Sequence, residues 1–375
     1  MRSICKRAPN KQSMLPLEQL QQIPIYYIVG IGRSGTSLLT ALFHPNPKVW
    51  ASPENTFLLF FYQAYRHKKT WTAKDINAIC DYFQLIFETH PHIGWQFNFD
   101  KMKQDLSQLP PNTDYANFCK AIYFNFSPSN CEKKQTDIQF ILDKNPSYTL
   151  QWKHLLNIDP QHAPKFIVML RDYRANILSR RQSINIRKPQ TAFDAYRWLF
   201  FNQRAQALLQ QKNQLALLLR YEDMITQPEE QTKRVCNFMQ VSYTPNMLQF
   251  HERDKKVYET NAQGEVLRIN RFQKKYGDLA KPINTDRLAA WKTELPLQDR
   301  LIAEYICGKM GKQFGYETTL TISTWQKITL FFTTLIPLCR AIYDVYKDDI
   351  LLYVSPSLKM KRIRQLRHKH ISNTP

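Results

Sequence analysis

Residues 30–39 read GIGRSGTSLL and follow the continuous apolar run IPIYYIVG (23–30). A strand that leaves through a glycine turn into a helix presents backbone amides and the positive end of a helix dipole, a ready seat for a phosphate-like anion. Which anion depends on the frame. Gly30, Gly32 and Gly35 fit the dinucleotide turn G-x-G-x-x-G, and Glu54 stands 24 residues after Gly30, loosely where a ribose-binding carboxylate belongs. Gly30 and Gly35 equally fit the P-loop frame G-x-x-x-x-G-K-[ST], but Thr36 stands where the lysine should be. The run KFIVMLRD (165–172) then offers Asp172 as a magnesium-binding carboxylate at a strand end, while its neighbour Arg171 suits an anion rather than a metal ion. The arginine and three hydroxyls of RSGTS suit a more highly charged terminal group than a dinucleotide pyrophosphate.

In a third frame Arg33 replaces the missing lysine, and here the chain resembles the sulfotransferases that use 3′-phosphoadenosine 5′-phosphosulfate (PAPS). Their 5′-phosphosulfate loop, G-x-[PG]-[RK]-S-G-T-[ST]-L-L, is matched throughout by residues 30–39. Their 3′-phosphate site is a strand ending in Arg-Asp with a serine eight residues after the arginine, and KFIVMLRDYRANILS supplies Arg171 and Ser179 at that interval. LDKNP (142–146) is similar to the Asn-Lys-Asp-Pro element of tyrosylprotein sulfotransferases, with Lys144 in the lysine position. SPENTF (52–57) puts Glu54 21 residues after Arg33, where those enzymes carry a catalytic glutamate. RYEDM (220–224) with Pro228, then AKPINTDRLAAWKTEL and GKQFGYE, extend the resemblance to about residue 316 and bring in Tyr221 and Lys281. Two departures stand against it: DKN replaces NKD around Lys144, and no serine aligns with the family's hydroxyl contact ahead of Lys281. Protein tyrosine is therefore not implied as the acceptor.

The resemblance implies transfer of a sulfuryl group from PAPS to a hydroxyl, with the nucleotide PAP as product and no metal. In-line transfer spreads charge over the equatorial oxygens and onto the leaving phosphate, so positioning and preorganised positive charge carry the catalysis. By the resemblance, Arg33, Ser34, Gly35, Thr36 and Ser37 would hold the 5′-phosphosulfate, Arg171 and Ser179 the 3′-phosphate, and Tyr221 and Lys281 other parts of the nucleotide. Glu54 would take the acceptor proton as general base, Lys144 would stabilise the oxygen bridging sulfur and phosphorus, and Arg33 would share in neutralising the charge. His44 and His154 flank these motifs as rival bases. Two other classes stay open: a P-loop kinase-like phosphotransferase, and a non-catalytic protein that binds a nucleotide or polyanion. A carboxylate beside an anion site opposes mere binding, so Glu54 favours an enzyme.

Composition bounds the rest. The 375 residues carry 52 Lys plus Arg against 31 Asp plus Glu, a formal net charge of +21, which calls for an anionic partner. With 43% apolar and 13% aromatic residues the chain is globular. It lacks helix-turn-helix, zinc-finger and aromatic RNP signatures, so nucleic acid is not expected. The seven cysteines are scattered without a C-x-x-C pair and read as reduced core thiols of a cytosolic protein. The close pairs His90/His92 and His368/His370 lack a matching ligand cluster, so no metal site is expected. The most apolar segment, ITLFFTTLIPLC (328–339), is twelve residues long and interrupted by Pro337, too short to span a bilayer.

The apolar runs at 23–30, 48–52, 138–144, 165–172 and 215–223 read as strands of a parallel sheet, each followed by a helical segment. The expected fold is α/β: a P-loop-like three-layer α/β/α domain with a mostly parallel central sheet. A basic lead (1–22) precedes the domain (23–320), a helical insertion lies at about 57–137, and an apolar-then-basic extension closes the chain (321–375). Thr226 with Glu229 reads as a capping box. The insertion's aromatics, Phe57, Phe60, Phe61, Tyr62, Tyr65, Trp71 and Trp95, either shape an acceptor pocket or cap the core. The tail LKMKRIRQLRHKH carries Lys359, Lys361, Arg362, Arg364, Arg367 and Lys369 without an acidic residue, which suits peripheral contact with an anionic membrane face. The expected partner is a hydroxyl-bearing acceptor (glycan, lipid, small molecule or peptide), and the expected place is the cytoplasm or the inner face of its membrane.

Overall fold

The computed structural model describes residues 14–89, 95–128, 133–182, 190–252, 279 and 281–371. Five parallel strands form its central sheet: β1 (Ile25–Val29), β2 (Val49–Ala51), β5 (Phe140–Lys144), β6 (Phe166–Leu170) and β7 (Ala216–Arg220), in the order β2-β5-β1-β6-β7. The continuous apolar runs have a direct cause. Tyr27, Val29, Ile141, Phe166 and Val168 face one core, while Tyr26, Ile28, Phe140, Leu142, Ile167 and Met169 face another, so the middle strands are covered on both sides. This is the layered α/β architecture read from the sequence.

Strand order places the chemistry. β1 sits between β5 and β6, so the glycine turn leaving β1, Lys144 at the end of β5 and Arg171 just past β6 emerge side by side at the carboxyl edge of the sheet. That edge is where open α/β sheets bind ligands. The insertion holds helices Ala73–Thr89, Phe99–Ser107 and Tyr115–Tyr123 with a two-stranded antiparallel pair, β3 (Trp95–Phe97) and β4 (Phe126–Pro128). Of the aromatics named above, Phe57, Phe61 and Tyr62 are buried core, Phe60, Tyr65 and Trp71 are partly buried against it, with Trp71 stacked on Phe118 at 3.6 Å, and the Trp95 side chain lies outside what the structure describes.

Three local readings need correction. Thr226 closes the short helix Tyr221–Thr226, so its hydroxyl donates back to the Glu222 carbonyl (3.0 Å) instead of capping the next helix, and Glu229 pairs with Lys233. Pro337 does not interrupt the apolar segment: one helix runs from Thr324 to Leu352, opened by a Ser323/Gln326 capping box. Thr333, whose carbonyl Pro337 leaves without its helical donor, lies at an exposed position where water serves it. Third, Cys119, Cys236 and Cys307 are buried thiols, but Cys339 is exposed and Cys80 partly so. Cys5, Cys131, His90, His92 and most of the basic lead lie outside the described residues.

A buried ionic knot holds the sheet edge to the C-terminal half. Asp172 caps the helix Tyr173–Arg181 through the Arg174 amide (2.8 Å), and both its oxygens accept from the Arg174 guanidinium. Arg174 also donates to Glu304 (3.0 Å), which accepts from the Thr319 and Leu320 amides and lies in the helix Leu297–Gln313. Removing one partner of such a buried pair strands the other. Glu304→Ala is therefore expected to lower unfolding stability by about 3–5 kcal/mol in a denaturant titration, whereas Glu229→Ala on the surface should cost less than about 0.5 kcal/mol.

Candidate active site

The glycine turn is built from backbone geometry. Gly30 has φ 134° and a Cβ there would stand 2.3 Å from the Met169 carbonyl oxygen, so β1 and β6 approach too closely for any side chain. Gly35, the N-cap of the helix Thr36–Phe43, has φ 88° and a Cβ would meet the Tyr221 ring at 2.5 Å. Between them Arg33 also takes positive φ (74°), a strained choice for a residue with a side chain. Its carbonyl accepts from Arg171 Nη1 (3.0 Å) and its Nε donates to Ser179 Oγ (3.1 Å). Arg33 thus meets both Arg171 and Ser179, which lie far from it in sequence.

Arg171 is the most constrained of the three. It is buried, its guanidinium lies 4.2 Å from the Tyr221 ring centre, and its carbonyl accepts from the Trp198 indole (3.0 Å). Its Nε is buried without a hydrogen-bond partner among the described residues. Burial is the main influence drawing its pKa below the usual arginine value, and Arg33 pushes the same way. A buried cation with a spare donor beside a second guanidinium is an anion seat, because a bound phosphate would complete its hydrogen bonds and offset the repulsion.

The second cluster is at the end of β5. Lys144 Nζ is paired with Glu54 and lies 3.4 Å from Ser37 Oγ, so one ammonium bridges a carboxylate and the helix N-terminus. Lys144 is nearly buried whereas the Glu54 side chain is 47% exposed, which leaves the carboxylate open to an incoming group. Asn145 donates to the Asn55 carbonyl (2.8 Å), and Ser52 N donates to Leu142 O (2.9 Å), fastening the Glu54 segment to the strand. Beneath Lys144, Asp143 is fully buried and accepts from Tyr123 OH (2.6 Å); burial pushes its carboxyl up to about 7.

Other sequence candidates fall elsewhere. Ser34 is fully buried and accepts from Asn176 Nδ2 (3.1 Å), so it braces the loop from inside, and Thr36 is buried too. Tyr221 packs between Gly35 and Arg171. Lys281 is exposed, and among the described residues no bond joins it to the loop. Asp172 is committed to Arg174 and its own helix, which leaves it poorly disposed to hold a metal ion. His44 closes the far end of the eight-residue helix Thr36–Phe43, about 12 Å along its axis, and His154 packs on Tyr62. Sequence reading missed Asn176, which also donates to the Gly32 carbonyl (3.0 Å), and Thr149, which accepts from Gly30 N (2.7 Å). Asn176 lies inside the Arg171–Ser179 interval, the one signal that pointed toward it.

The family model described as "Sulfotransferase family" matches residues 24–245. A Caenorhabditis briggsae protein named as a candidate protein-tyrosine sulfotransferase is 23% identical over 274 residues, covering 71% of this chain and 80% of that protein. The protein-tyrosine sulfotransferase of Drosophila melanogaster is 20% identical over 287 residues, covering 74% of this chain and 48% of its own, longer length. Among solved structures, the sulfotransferase domain of the Synechococcus PCC 7002 olefin synthase aligns with TM-score 0.51 at 18% identity, covering 84% of this chain and 99% of that domain. The sulfotransferase domain of the curacin biosynthetic pathway aligns with TM-score 0.50 at 20% identity, covering 82% and 100%. These two likenesses bear on the fold.

Asp143 gives this site a pH signature. Its folded pKa of about 7 lies above the unfolded value near 3.8, so its contribution to stability is complete below about pH 4 and lost as pH rises through 7. Asp143→Asn should therefore be more stable than the native protein at pH 8 by ~2–4 kcal/mol relative to the difference between them at pH 4. Equal differences at both pH values in paired thermal melts would contradict this.

Proposed function

The chain belongs to the sulfotransferase family, and from that premise we propose that it transfers a sulfuryl group from PAPS to a hydroxyl acceptor, with Glu54 as general base. The observation that carries the reading is the buried Arg171, whose Nε has no partner among the described residues and whose Nη1 donates to Arg33, which is itself bonded to Ser179. These residues fit a 3′-phosphate, the group that separates PAPS from ATP. When bound, PAPS supplies the sulfuryl group and the leaving phosphate.

The chain's own residues then divide the work. Amides of the Arg33–Ser37 turn and the helix N-terminus receive the 5′ end of the nucleotide, with the Ser37 hydroxyl facing Lys144. Arg171 and Ser179 fix the other end, and the Tyr221 ring supports Arg171 from below. Glu54 accepts the acceptor's proton at a carboxylate oxygen. Lys144, already bridging Glu54 and Ser37, moves its charge toward the leaving oxygen as Glu54 is neutralised. Because two relatives are named for protein tyrosine, a phenolic hydroxyl is the first acceptor to test, ahead of sugar and lipid hydroxyls.

Two expected outcomes follow. PAP at 100 times its Kd should add roughly 2.7 kcal/mol to thermal stability, in the native protein and in Glu54→Gln alike. PAP release from PAPS in the presence of a tyrosine peptide, a simple phenol or a sugar should fall about 10²–10⁴-fold in Glu54→Gln. Unchanged turnover in that variant would remove Glu54 as the base. Magnesium-dependent stabilisation by ATP with no response to PAP would remove PAPS as the donor.

A further inference from the structure

The helix Thr324–Leu352 is two-faced. Leu330, Thr334, Ala341, Val345 and Leu352 are buried, recurring at helical spacing, and they seat the helix on the body. Tyr196 OH lies 3.0 Å from Thr334 Oγ1 and Arg197 pairs with Asp344 at 2.7 Å. At 3.6 residues per turn, the opposite face carries Trp325, Ile328, Phe332, Ile336, Tyr343 and Ile350, all exposed, with Ile336 at 75%. From Ile328 to Cys339 the helix carries no charged residue; Lys327 precedes that run, and Arg340, Asp344 and Lys347, the last two paired with each other, follow it. A soluble surface rarely shows so long an apolar row.

The following helix, Pro356–Ile371, supplies the complementary charge. Its Lys361, Arg362 and Arg364 are exposed, and the tail from Leu358 to His370 contains no acidic residue. Lys359 takes no part: it donates to the Phe60 carbonyl, and burial pushes its ammonium down to about 8. Met360 and Leu352 are buried in the same apolar cluster as Phe57 and Phe61, so both helices are fastened to the enzyme body.

We propose that these two helices form a membrane-docking surface: the exposed face of Thr324–Leu352 lies in the headgroup boundary of an anionic bilayer while Lys361, Arg362 and Arg364 engage its phosphates. The chemistry fits that occupant in three ways. Rings with polar tips, Trp325, Tyr343 and Tyr346, line the face, as suits the boundary between water and acyl chains. Apolar area and adjacent cations together are the pairing by which interfacial helices bind anionic lipid. By length and composition the helix could also cross a membrane. Crossing would pull Leu330, Thr334, Ala341 and Val345 off the body, break the Arg197–Asp344 pair, and carry Asp344, Asp348 and Asp349 into hydrocarbon, so lying flat is the favoured mode.

The test is co-sedimentation of the full chain with phosphatidylcholine vesicles made with and without phosphatidylglycerol. Binding should require phosphatidylglycerol, weaken as salt is raised, and drop roughly a hundredfold when Lys361, Arg362 and Arg364 all become alanine. The pair Phe332→Glu and Ile336→Glu should abolish binding without moving the melting temperature or PAP-dependent stabilisation, because both side chains are exposed. Three results would overturn the proposal: equal binding to both vesicle types or to neither; a dimer in sedimentation velocity that the Phe332/Ile336 pair dissociates; or vesicle-bound protein that resists alkaline carbonate extraction, as a crossing helix does. Because PAP binding is read separately, failure here leaves the transferase reading standing, and the reverse also holds.

Discussion

A guanidinium taken out of water needs a partner for each of its donors, and Arg171 is only partly supplied. One arm holds the carbonyl of Arg33, the plane rests on Tyr221, and Nε has no hydrogen-bond partner among the described residues. The hydrogen bond to Arg33 also holds a residue with positive φ in the turn, so the same side chain sets the loop and waits for a ligand. Two strand ends are locked together by this contact and by the approach of Gly30 to Met169, which admits no Cβ. The turn is therefore a product of the sheet: β1 and β6 must be neighbours before the anion seat exists.

Around that turn the Lys144–Glu54 pair is placed by a different strand. Lys144 belongs to β5 and reaches across to Ser37 on the far side of β1's turn, while Glu54 rides on a segment bonded to β5 through Asn145 and Asn55. The nearly buried ammonium and the half-exposed carboxylate form an unequal pair: the cation is enclosed and the carboxylate is accessible. Asp143 beneath them is held up to about 7 by burial, so at neutral pH part of its population carries no charge to compete with Glu54 for Lys144.

Much of this was legible in the sequence because the constraints are local. Buried parallel strands must be apolar along their whole length, and a turn that packs on a neighbouring carbonyl must be glycine, so β1, the loop and its helix could be read from 25–43 alone. The pairing of Arg171 with Ser179 was visible only as spacing, and their meeting with Arg33, read from the sequence as a 5′-phosphosulfate residue, needed the strand order. What escaped depends on contacts no window contains. Asn176 and Thr149 look like ordinary polar residues until they are found holding Gly32 and Gly30, and the bond from Asn176 to Ser34 is equally invisible in any one window. Pro337 misled because a proline stops a helix only when its neighbours cannot hydrate or replace the lost bond, and this helix is open to water on one side.

We propose that Arg171, Arg33 and Ser179 together seat a 3′-phosphate, and calorimetric titration of the native protein and Arg171→Ala with PAP and with ADP, without magnesium, is the decisive measurement. PAP should bind the native protein at least a hundredfold more tightly than ADP, about 3 kcal/mol from charge-assisted hydrogen bonds, and the preference should collapse in the variant. Equal affinity for the two nucleotides in the native protein, or a PAP preference that survives the loss of Arg171, would contradict it.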